Sequence, residues 1–292
     1  MPEISVIIPV YNGADFIKRC YNSIKNQTFK DFEIIFVDDE SKDNSLEILR
    51  ELEKNDNKVK VFSQKNKKQG GARNTGLKNA NGSYISFIDA DDFISEDFLE
   101  ALYHSIKNFD ADISMTGVTR IKPNGDERIL LKYDKEECYT ETVQKAKIAN
   151  GNGTGRGVWN KLYRKDFLSK NLLFFRENVS YEDCDFCTQA IYLADKISTT
   201  NIGNYFYFVN KKSTMRCSID KKKQYDKYIG IKLTALFDLN HGIAKYPVVI
   251  PKFDYSFFGL NLLRIKEKID IDKTTEQYWL FDFIKIFEKK IK

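Results

Sequence analysis

The chain has 292 residues, of which 42% are hydrophobic and 30% charged, and its 47 Lys and Arg against 42 Asp and Glu leave a formal charge of +5. This composition excludes a disordered chain, because it provides enough apolar surface for a core. No apolar run reaches the roughly 18 residues of a membrane-spanning helix, and the five cysteines are too sparse for a small disulfide-bonded secreted domain. We therefore expect a cytoplasmic protein, built as one large domain or as a domain with an appendage.

Apolar runs of strand length alternate with segments of helical spacing over the first 115 residues. Strands that are joined by helices form a parallel sheet and are buried on both faces. Ligands of such sheets bind beyond the carboxyl ends of the strands, so the residues that follow each strand are candidates for chemistry. The sequence predicts strands at 4–10, 33–37, 58–62 and 84–88, and helices around 16–27, 45–52, 72–80 and 97–106.

The alternation weakens beyond residue 112. Residues 112–121 and 127–133 flank Pro123-Asn124-Gly125, which predicts two antiparallel strands joined by a turn, because Asn-Gly tolerates positive φ. The glycine-rich segment 151–157 has neither the G-x-G-x-x-G spacing nor the Lys-Ser/Thr ending of a phosphate-binding loop. It therefore predicts a flexible loop.

Acidic residues follow two of the four predicted strands. Asp38 and Asp39 come after the second strand, and Asp89-Ala90-Asp91-Asp92 comes after the fourth. Three carboxylates in four residues repel one another, and a divalent cation would relieve that repulsion while leaving positions for substrate phosphates. The alternative is an acidic cap on the helix that follows. Arg73, which comes after the third strand, can bind phosphate with its fork and favours a site for a nucleotide diphosphate.

Four motifs at these strand ends resemble those of the family-2 inverting glycosyltransferases, in order and in spacing. They cover about a third of the chain, and two later segments are similar to acceptor-side motifs of bacterial members. Beyond about residue 215 the resemblance ends. One departure is Glu40, where the family usually has a small or amide residue. The four motifs are Ser5–Asn12, Val37–Ser41, Gly71–Gly76 and Phe87–Asp92, and the two later segments are Trp159–Arg164 and Glu182–Phe186.

The resemblance implies a GT-A fold, which is an α/β architecture with a mostly parallel sheet flanked by helices, and a nucleotide-diphosphate sugar as donor. Asp39 would accept a hydrogen bond from the uracil of a UDP-sugar, and Asp89 would hold the ribose side. Arg73 would add positive charge against the leaving group, and Asp91 would ligate Mn²⁺ or Mg²⁺ between the two phosphates. The donor-binding residues that the resemblance implies are Pro9, Tyr11, Asn12, Asp39, Arg73 and Asp89.

Asp183 matches the position of the catalytic base in the family. A carboxylate there would take the proton of an acceptor hydroxyl, a contribution of roughly 10²- to 10⁴-fold in rate. Attack from the face opposite the diphosphate would invert the anomeric carbon. Trp159, Lys161 and Glu182 would line the acceptor. The alternatives are that Glu182 and Asp183 only begin a helix, and that Trp159 belongs to the core.

The resemblance and the charge pattern divide the chain into three segments. Residues 1–110 would bind the donor, and 111–215 would bind the acceptor and carry the base. Residues 216–292 would form a basic, aromatic-rich helical appendage. They hold 16 basic and 10 acidic residues, a charge of +6, whereas the preceding 215 residues hold 31 and 32, a charge of −1. Trp279, Phe283, Ile286 and Phe287 are spaced as in an amphipathic helix, which would contact the inner membrane or pack on the protein itself.

These features predict an inverting glycosyltransferase that acts on a glycan or lipid-linked acceptor in bacterial surface polysaccharide or lipopolysaccharide synthesis, with no nucleic acid partner. One alternative is a nucleotidyltransferase, although Tyr11-Asn12-Gly13 stands where its basic glycine-rich loop would follow the first strand. Another is a non-catalytic nucleotide-sugar-binding module, which would be expected to lack Asp91 and Asp183. A glycosidase also uses paired carboxylates, but it needs no diphosphate site.

Overall fold

The structure is a computed structural model that describes residues 1–141, 144–145, 157–210 and 226, together with the backbone of four strands between 248 and 290. The chain divides into two compact units, Met1–Cys217 and Ser218–Lys292. Within the described part, no helix is both long enough and apolar enough to cross a membrane.

The first unit alternates strands and helices along its first half. Its strands are β1 (Ile4–Val10), β2 (Phe32–Asp38), β3 (Val59–Ser63), β4 (Tyr84–Phe87), β5 (Phe93–Ile94), β6 (Ile113–Ile121), β7 (Glu127–Leu131), β8 (Glu137–Tyr139), β9 (Lys161–Arg164) and β10 (Ile197–Phe208). Its helices are α1 (Ile17–Lys25), α2 (Ser45–Asn55), α3 (Lys68–Asn79), α4 (Phe98–Asn108), α5 (Lys165–Lys170) and α6 (Glu182–Leu193).

One sheet runs through this unit in the order β3-β2-β1-β4-β9-β6-β10-β5, with β7 paired to β6 and β8 to β10. The first four strands of this order pair in parallel, and so do β6 and β10. Strand β9 lies antiparallel between β4 and β6, and β5 lies antiparallel at the edge. Six strands of the path therefore share one direction, which confirms the predicted α/β architecture and its mostly parallel sheet.

The strands bury both of their faces because successive side chains point to opposite sides of the sheet. In β1, Val6 and Ile8 belong to the core that includes α1, α2 and α4, whereas Ile7 belongs to the core that includes α3, α5 and α6. A strand that is covered in this way needs apolar residues at every position, which explains the continuous apolar runs of β1 and β2.

Helix α3 approaches β1 closely at Gly76. A Cβ atom at this position would lie 2.3 Å from Cγ2 of Ile7, so a larger residue would push the helix off the sheet. Arg73 lies one turn earlier on the same helix and therefore has a fixed place at the carboxyl edge of the sheet.

The four predicted strand-and-helix units and the hairpin are confirmed, with ends that differ by a few residues. Gly125 in the hairpin turn has a φ of 88°, the left-handed conformation that such a turn favours. The glycine-rich segment predicted as a loop lies outside the described residues except for Gly157. Strand β9 was not predicted, because it is short and pairs with strands that are distant in sequence.

In the second unit the described segments form a sheet, so the prediction of a helical appendage is wrong for them. Trp279 lies in a strand, and Ile286 and Phe287 lie in the next, while Phe283 lies outside the described residues. A short apolar run is compatible with either periodicity, and β-branched and aromatic residues favour strands. The membrane contact predicted for 216–292 stays a prediction, but the amphipathic helix on which it rested is absent from the described segments. The antiparallel strands follow chain order: β11 (Val248–Phe257), β12 (Leu260–Ile269), β13 (Thr274–Leu280) and β14 (Ile284–Lys290).

Candidate functional site

Hydrogen bonds join the loops that follow β1 and β2 at the carboxyl edge of the sheet. Asn12 has a φ of 51°, and its Oδ1 accepts a hydrogen bond from the backbone N–H of Lys42 at 2.7 Å. Its own N–H donates to Oγ of Ser41 at 3.0 Å. Tyr11 is 52% exposed beside it, whereas Pro9 is buried within β1. Of the three donor-binding residues predicted here, Tyr11 and Asn12 are therefore accessible to a ligand and Pro9 is not.

Asp39 is buried, and a chain of hydrogen bonds orients it. Its Oδ1 accepts from Nε2 of Gln64 at 2.8 Å and from the backbone N–H of Lys67 at 2.9 Å. The Thr75 hydroxyl in turn donates to Oε1 of Gln64 at 2.5 Å, which fixes the orientation of that amide. Burial raises the pKa of Asp39, and the N–H donors oppose this rise. Gln64 lies outside the four motifs, and Thr75 lies inside the Gly71–Gly76 motif but was not predicted to have a role.

Arg73 joins the donor-side and base-side motifs. Its Nη2 donates to Oδ1 of Asp89 at 2.7 Å and its Nη1 donates to Oε1 of Glu182 at 2.5 Å. The guanidinium is 2% exposed and lies over the ring of Phe175 at 5.4 Å. Burial alone would lower the pKa of Arg73, but Asp89 and Glu182 raise it. Both ends of the fork are thus occupied by carboxylates, and the cation connects β4 to helix α6.

Glu182 and Asp183 begin helix α6, as one of the alternatives predicted. The preceding residue, Tyr181, has a φ of 63°. Glu182 is buried against Arg73, and Asp183 is half-buried. Burial raises the pKa of both carboxyls while Arg73 opposes the rise, and the negative charge of Asp89 raises the pKa of Asp183 further. A raised pKa makes Asp183 a better proton acceptor, so its place in the first turn of a helix is compatible with a catalytic role.

The acidic cluster after β4 gives each carboxylate a different environment. Asp92 is buried and accepts hydrogen bonds from the Tyr205 hydroxyl at 2.6 Å and the backbone N–H of Phe208 at 2.7 Å, so it fastens the segment to β10. Asp91 is half-buried, and its Oδ2 accepts from Nδ2 of Asn210 at 3.3 Å. Burial, followed by the charge of Asp89, raises the pKa of Asp91 to about 6.

Arg19 of helix α1 supports this acidic segment. Its Nη2 donates to the backbone carbonyl of Asp91 at 2.6 Å. Its guanidinium lies 4.0 Å from the ring centroid of Phe208 and 4.9 Å from that of Phe93. These contacts hold the backbone of Asp91 in place. Helical spacing alone cannot distinguish such an arginine from a solvated one.

Trp159 and Lys161, predicted to line the acceptor, differ in accessibility. Trp159 is half-buried and stacks on Tyr205 at 4.6 Å and near Tyr207 at 6.3 Å between ring centroids. Lys161 is fully buried, and its ammonium donates to the Gly157 carbonyl and to Oδ1 of Asn160. Trp159 is therefore partly accessible to a ligand, whereas the ammonium of Lys161 is enclosed by the protein.

The buried ammonium of Lys161 gives the fold a dependence on pH. Burial lowers the pKa of Lys161 from 10.5 to about 8. Between these values the unfolded chain binds more protons than the folded one, so stability increases as pH rises. We expect the free energy of unfolding of the wild type, measured by urea denaturation, to increase across this window relative to that of Lys161→Met. A difference between the two proteins that stays constant with pH would contradict this prediction.

The residues at this edge fit a divalent cation whose other ligands come from the donor. Among the described residues, no group of three Asp, Glu, His or Cys side chains could hold a metal ion by itself. Asp91 would supply one oxygen ligand, and its raised pKa reflects an unfavourable negative charge that a cation would stabilise. The phosphate oxygens of a nucleotide diphosphate are the usual remaining ligands of Mg²⁺ in such sites.

The chain is similar to known proteins in sequence and in fold. The sequence model of Glycosyl transferase family 2 matches residues 5–172. Glycosyltransferase EpsJ of Bacillus subtilis is 33% identical over 218 residues, which cover 73% of this chain and 63% of EpsJ. The poly(ribitol-phosphate) beta-glucosyltransferase of Bacillus spizizenii is 33% identical over 214 residues, which cover 72% of this chain and 32% of that enzyme.

Among solved structures, S. aureus TarS 1–349 in complex with UDP-GlcNAc superposes with a TM-score of 0.69 at 27% identity, covering 82% of this chain and 67% of TarS 1–349. The chain thus spans less than two thirds of the length of EpsJ and about a third of the Bacillus spizizenii enzyme. The matched family segment holds the motifs at the ends of β1, β2 and β4 as well as Arg73. The chain belongs to glycosyltransferase family 2 and has its GT-A fold.

Proposed function

We propose that the protein transfers a sugar from a UDP-sugar to an acceptor hydroxyl, with a divalent cation and with inversion at the anomeric carbon. The observation that carries this proposal is the bridge from Asp89 through Arg73 to Glu182. It brings the start of helix α6, and with it Asp183, to the edge of the sheet where the donor motifs end. A base and a donor site at one edge are what a direct displacement requires.

The donor would bind across the ends of β1, β2 and β4. Asp39 accepts two N–H hydrogen bonds at Oδ1, which favour its ionised form, and an ionised carboxylate would accept the N3–H of uracil. Asp89 would contact the ribose, and Asp91 would hold Mn²⁺ or Mg²⁺. The cation would supply positive charge against the departing diphosphate, where negative charge develops in the transition state.

Asp183 would act on the acceptor. Its carboxylate removes the proton of the acceptor hydroxyl as the oxygen forms a bond to the anomeric carbon, and the bond between that carbon and the diphosphate oxygen breaks. The electron pair leaves with UDP. Because the nucleophile enters opposite the leaving group, the configuration inverts. Arg73 would act mainly as a positioning residue, since its two terminal nitrogens already bind Glu182 and Asp89.

The proposed acceptor is a glycan or polyol polymer of the bacterial surface, or its lipid-linked precursor. Support comes from the Bacillus spizizenii relative, whose name describes transfer to poly(ribitol phosphate), and from TarS, which was solved with UDP-GlcNAc. The cytoplasmic location stays a prediction. A nucleotidyltransferase is disfavoured because exposed Tyr11-Asn12 follows β1, in place of a basic glycine-rich loop.

The proposal is tested by incubating the full chain with Mn²⁺ and a panel of UDP-sugars, with polyol-phosphate and simple glycoside acceptors. We expect acceptor-dependent release of UDP, and a product whose anomeric configuration, read by NMR coupling constants, is opposite to that of the donor. A product that retains the configuration would exclude the proposed role of Asp183 as a base in a single displacement.

The hydrogen-bond chain from Thr75 to Asp39 predicts a determinant of base selectivity. Gln64→Leu removes the amide donor, so the buried Asp39 should protonate more readily and bind uracil less well. We expect UDP affinity to fall about tenfold, which corresponds to about 1.4 kcal/mol, while CDP affinity changes less because cytosine N3 is itself an acceptor. Calorimetric titration of both nucleotides measures the ratio. Gln69→Leu, which alters an exposed glutamine of α3, is the control. An unchanged ratio of UDP to CDP affinity in Gln64→Leu would contradict the prediction.

A further inference from the structure

Two arginines face each other across the hairpin formed by β6 and β7. Arg120 and Arg128 are direct partners in the antiparallel register. Their side chains therefore leave the same face of the sheet, close to each other. Like charges in this position destabilise a strand pair unless an anion lies between them.

Neither arginine has a carboxylate partner within the described part of the chain. Arg120 is half-buried, and its Nε is buried with no hydrogen-bond partner there. A buried N–H without a partner is unfavourable by itself. A cavity of about 300 Å³ is lined by both arginines together with Lys122, Asp126 and Glu127.

The two carboxylates of the lining do not neutralise the arginines. Asp126 is bound by the ammonium of Lys122 at 3.1 Å. Glu127 also lines the cavity, but it is the register partner of Ile121 and forms no ion pair with either arginine within the described part of the chain. The face that carries both arginines therefore keeps an excess of positive charge.

The cavity lies on the same edge of the sheet as the proposed catalytic residues. Arg120 is the penultimate residue of β6, which runs parallel to β1, β2 and β4, so it lies near their carboxyl ends. Its neighbour across the sheet is Tyr207 of β10. The Tyr207 ring lies beside Trp159, the residue predicted to contact the acceptor. A molecule that contacts Trp159 and extends along this edge would reach the two arginines.

We propose that Arg120 and Arg128 form a second anion site, which binds a phosphate group of the acceptor. This inference rests on the proposed function for the identity of the ligand, but the site itself rests on three observations: the register of the two arginines, their lack of a carboxylate partner in the described part of the chain, and the cavity that both of them line. Two guanidinium forks present several N–H donors in a fixed geometry, which suits the oxygens of a phosphate better than a single carboxylate. A repeating polyol phosphate would place one phosphate here while a neighbouring hydroxyl lies at Asp183.

The test follows the Nε–Hε signals of arginine by ¹⁵N NMR of the full chain, with the signals assigned through Arg120→Lys and Arg128→Lys. Inorganic phosphate should shift the Arg120 signal in a saturable way. Arg128→Gln should weaken this binding at least about tenfold, since it removes a charged donor, and raised NaCl should weaken it as well. Arg50→Gln, which alters an arginine paired with Glu53 on α2, should leave it unchanged. No shift, or equal shifts in Arg128→Gln and the wild type, would overturn the proposal.

Further binding experiments identify the source of the phosphate. A poly(glycerol phosphate) oligomer should bind more tightly than inorganic phosphate and lose this advantage in Arg128→Gln. Binding to phosphatidylglycerol vesicles that depends on Arg128, without binding to the oligomer, would overturn the assignment to the acceptor. UDP with Mn²⁺ is titrated into the same samples and should bind equally to the wild type and Arg128→Gln. Failure of UDP to bind would count against the proposed function, whereas failure of the phosphates alone would count against this site.

Discussion

Asp183→Asn is expected to lower kcat for sugar transfer by about 10²- to 10⁴-fold, the usual contribution of a general base. The asparagine keeps the shape of the side chain and its place in the first turn of α6, but it cannot accept a proton. Affinity for UDP should stay within about twofold of the wild type, because Asp183 acts on the acceptor. The substitution removes stabilisation of the transition state and leaves donor binding intact. Steady-state kinetics and calorimetry on one preparation separate the two effects.

Asp166→Asn is the matched control, because Asp166 is also an aspartate in the first turn of a helix but is exposed on α5. It should leave kcat unchanged. If Asp183→Asn kept wild-type kcat, the carboxylate would serve only the start of the helix, and the base would have to be another group.

Arg73→Met is expected to reduce both stability and activity. The substitution leaves Glu182 buried and close to Asp89 and Asp183 without the cation that all three share. Removing one partner of a buried ion pair typically costs about 3–5 kcal/mol. Urea unfolding should show a loss of this size, and transfer activity should fall even where the variant remains folded, because the start of α6 is no longer fixed to the end of β4.

Two variants separate stability from positioning. Arg176→Met breaks the ion pair between Arg176 and Asp185 of α6, in which the arginine is more exposed than Arg73. It should therefore cost less stability and leave UDP affinity unchanged. Adding Glu182→Gln to Arg73→Met should recover part of the stability, since one buried charge is removed, but none of the activity. Recovery of activity by the double variant would show that Arg73 serves stability alone.

The sequence predicted the parts of the fold that depend on local pattern. The apolar runs of β1 and β2 and the helical spacing of α1 and α4 each reflect burial that a short segment specifies by itself. The Pro123-Asn124-Gly125 turn was predictable for the same reason. Strand β9 was not, because its four residues gain their partners only from β4 and β6.

The second unit illustrates the limit of periodicity. Trp279, Ile286 and Phe287 have a helical spacing, but they lie in β13 and β14, where Tyr278 pairs with Phe287. The choice between helix and strand depends on pairing with β12 and its neighbours, which a local pattern does not contain.

The sequence predicted which residues lie at the candidate site better than it predicted what each of them does there. Asp39, Asp89 and Asp91 were expected at strand ends, and they lie there. The roles of Arg73 and Lys161 depend on burial. Arg73 was expected to add charge against the leaving group and Lys161 to line the acceptor, and both are buried among protein partners. Gln64, Thr75, Arg19 and Tyr205 act through contacts with residues that are distant in sequence, for which the sequence has no distinctive spacing.

Calorimetric titration of UDP into the wild type, Asp91→Asn and Asp183→Asn, with Mn²⁺ and with EDTA, tests the assignment of the donor site most directly. The wild type and Asp183→Asn should bind UDP with Mn²⁺ and lose most of that affinity in EDTA. Asp91→Asn should bind weakly in both conditions, because it lacks the proposed metal ligand. Equal affinity of Asp91→Asn and the wild type in Mn²⁺, or the absence of UDP binding by the wild type, would contradict the proposed donor site.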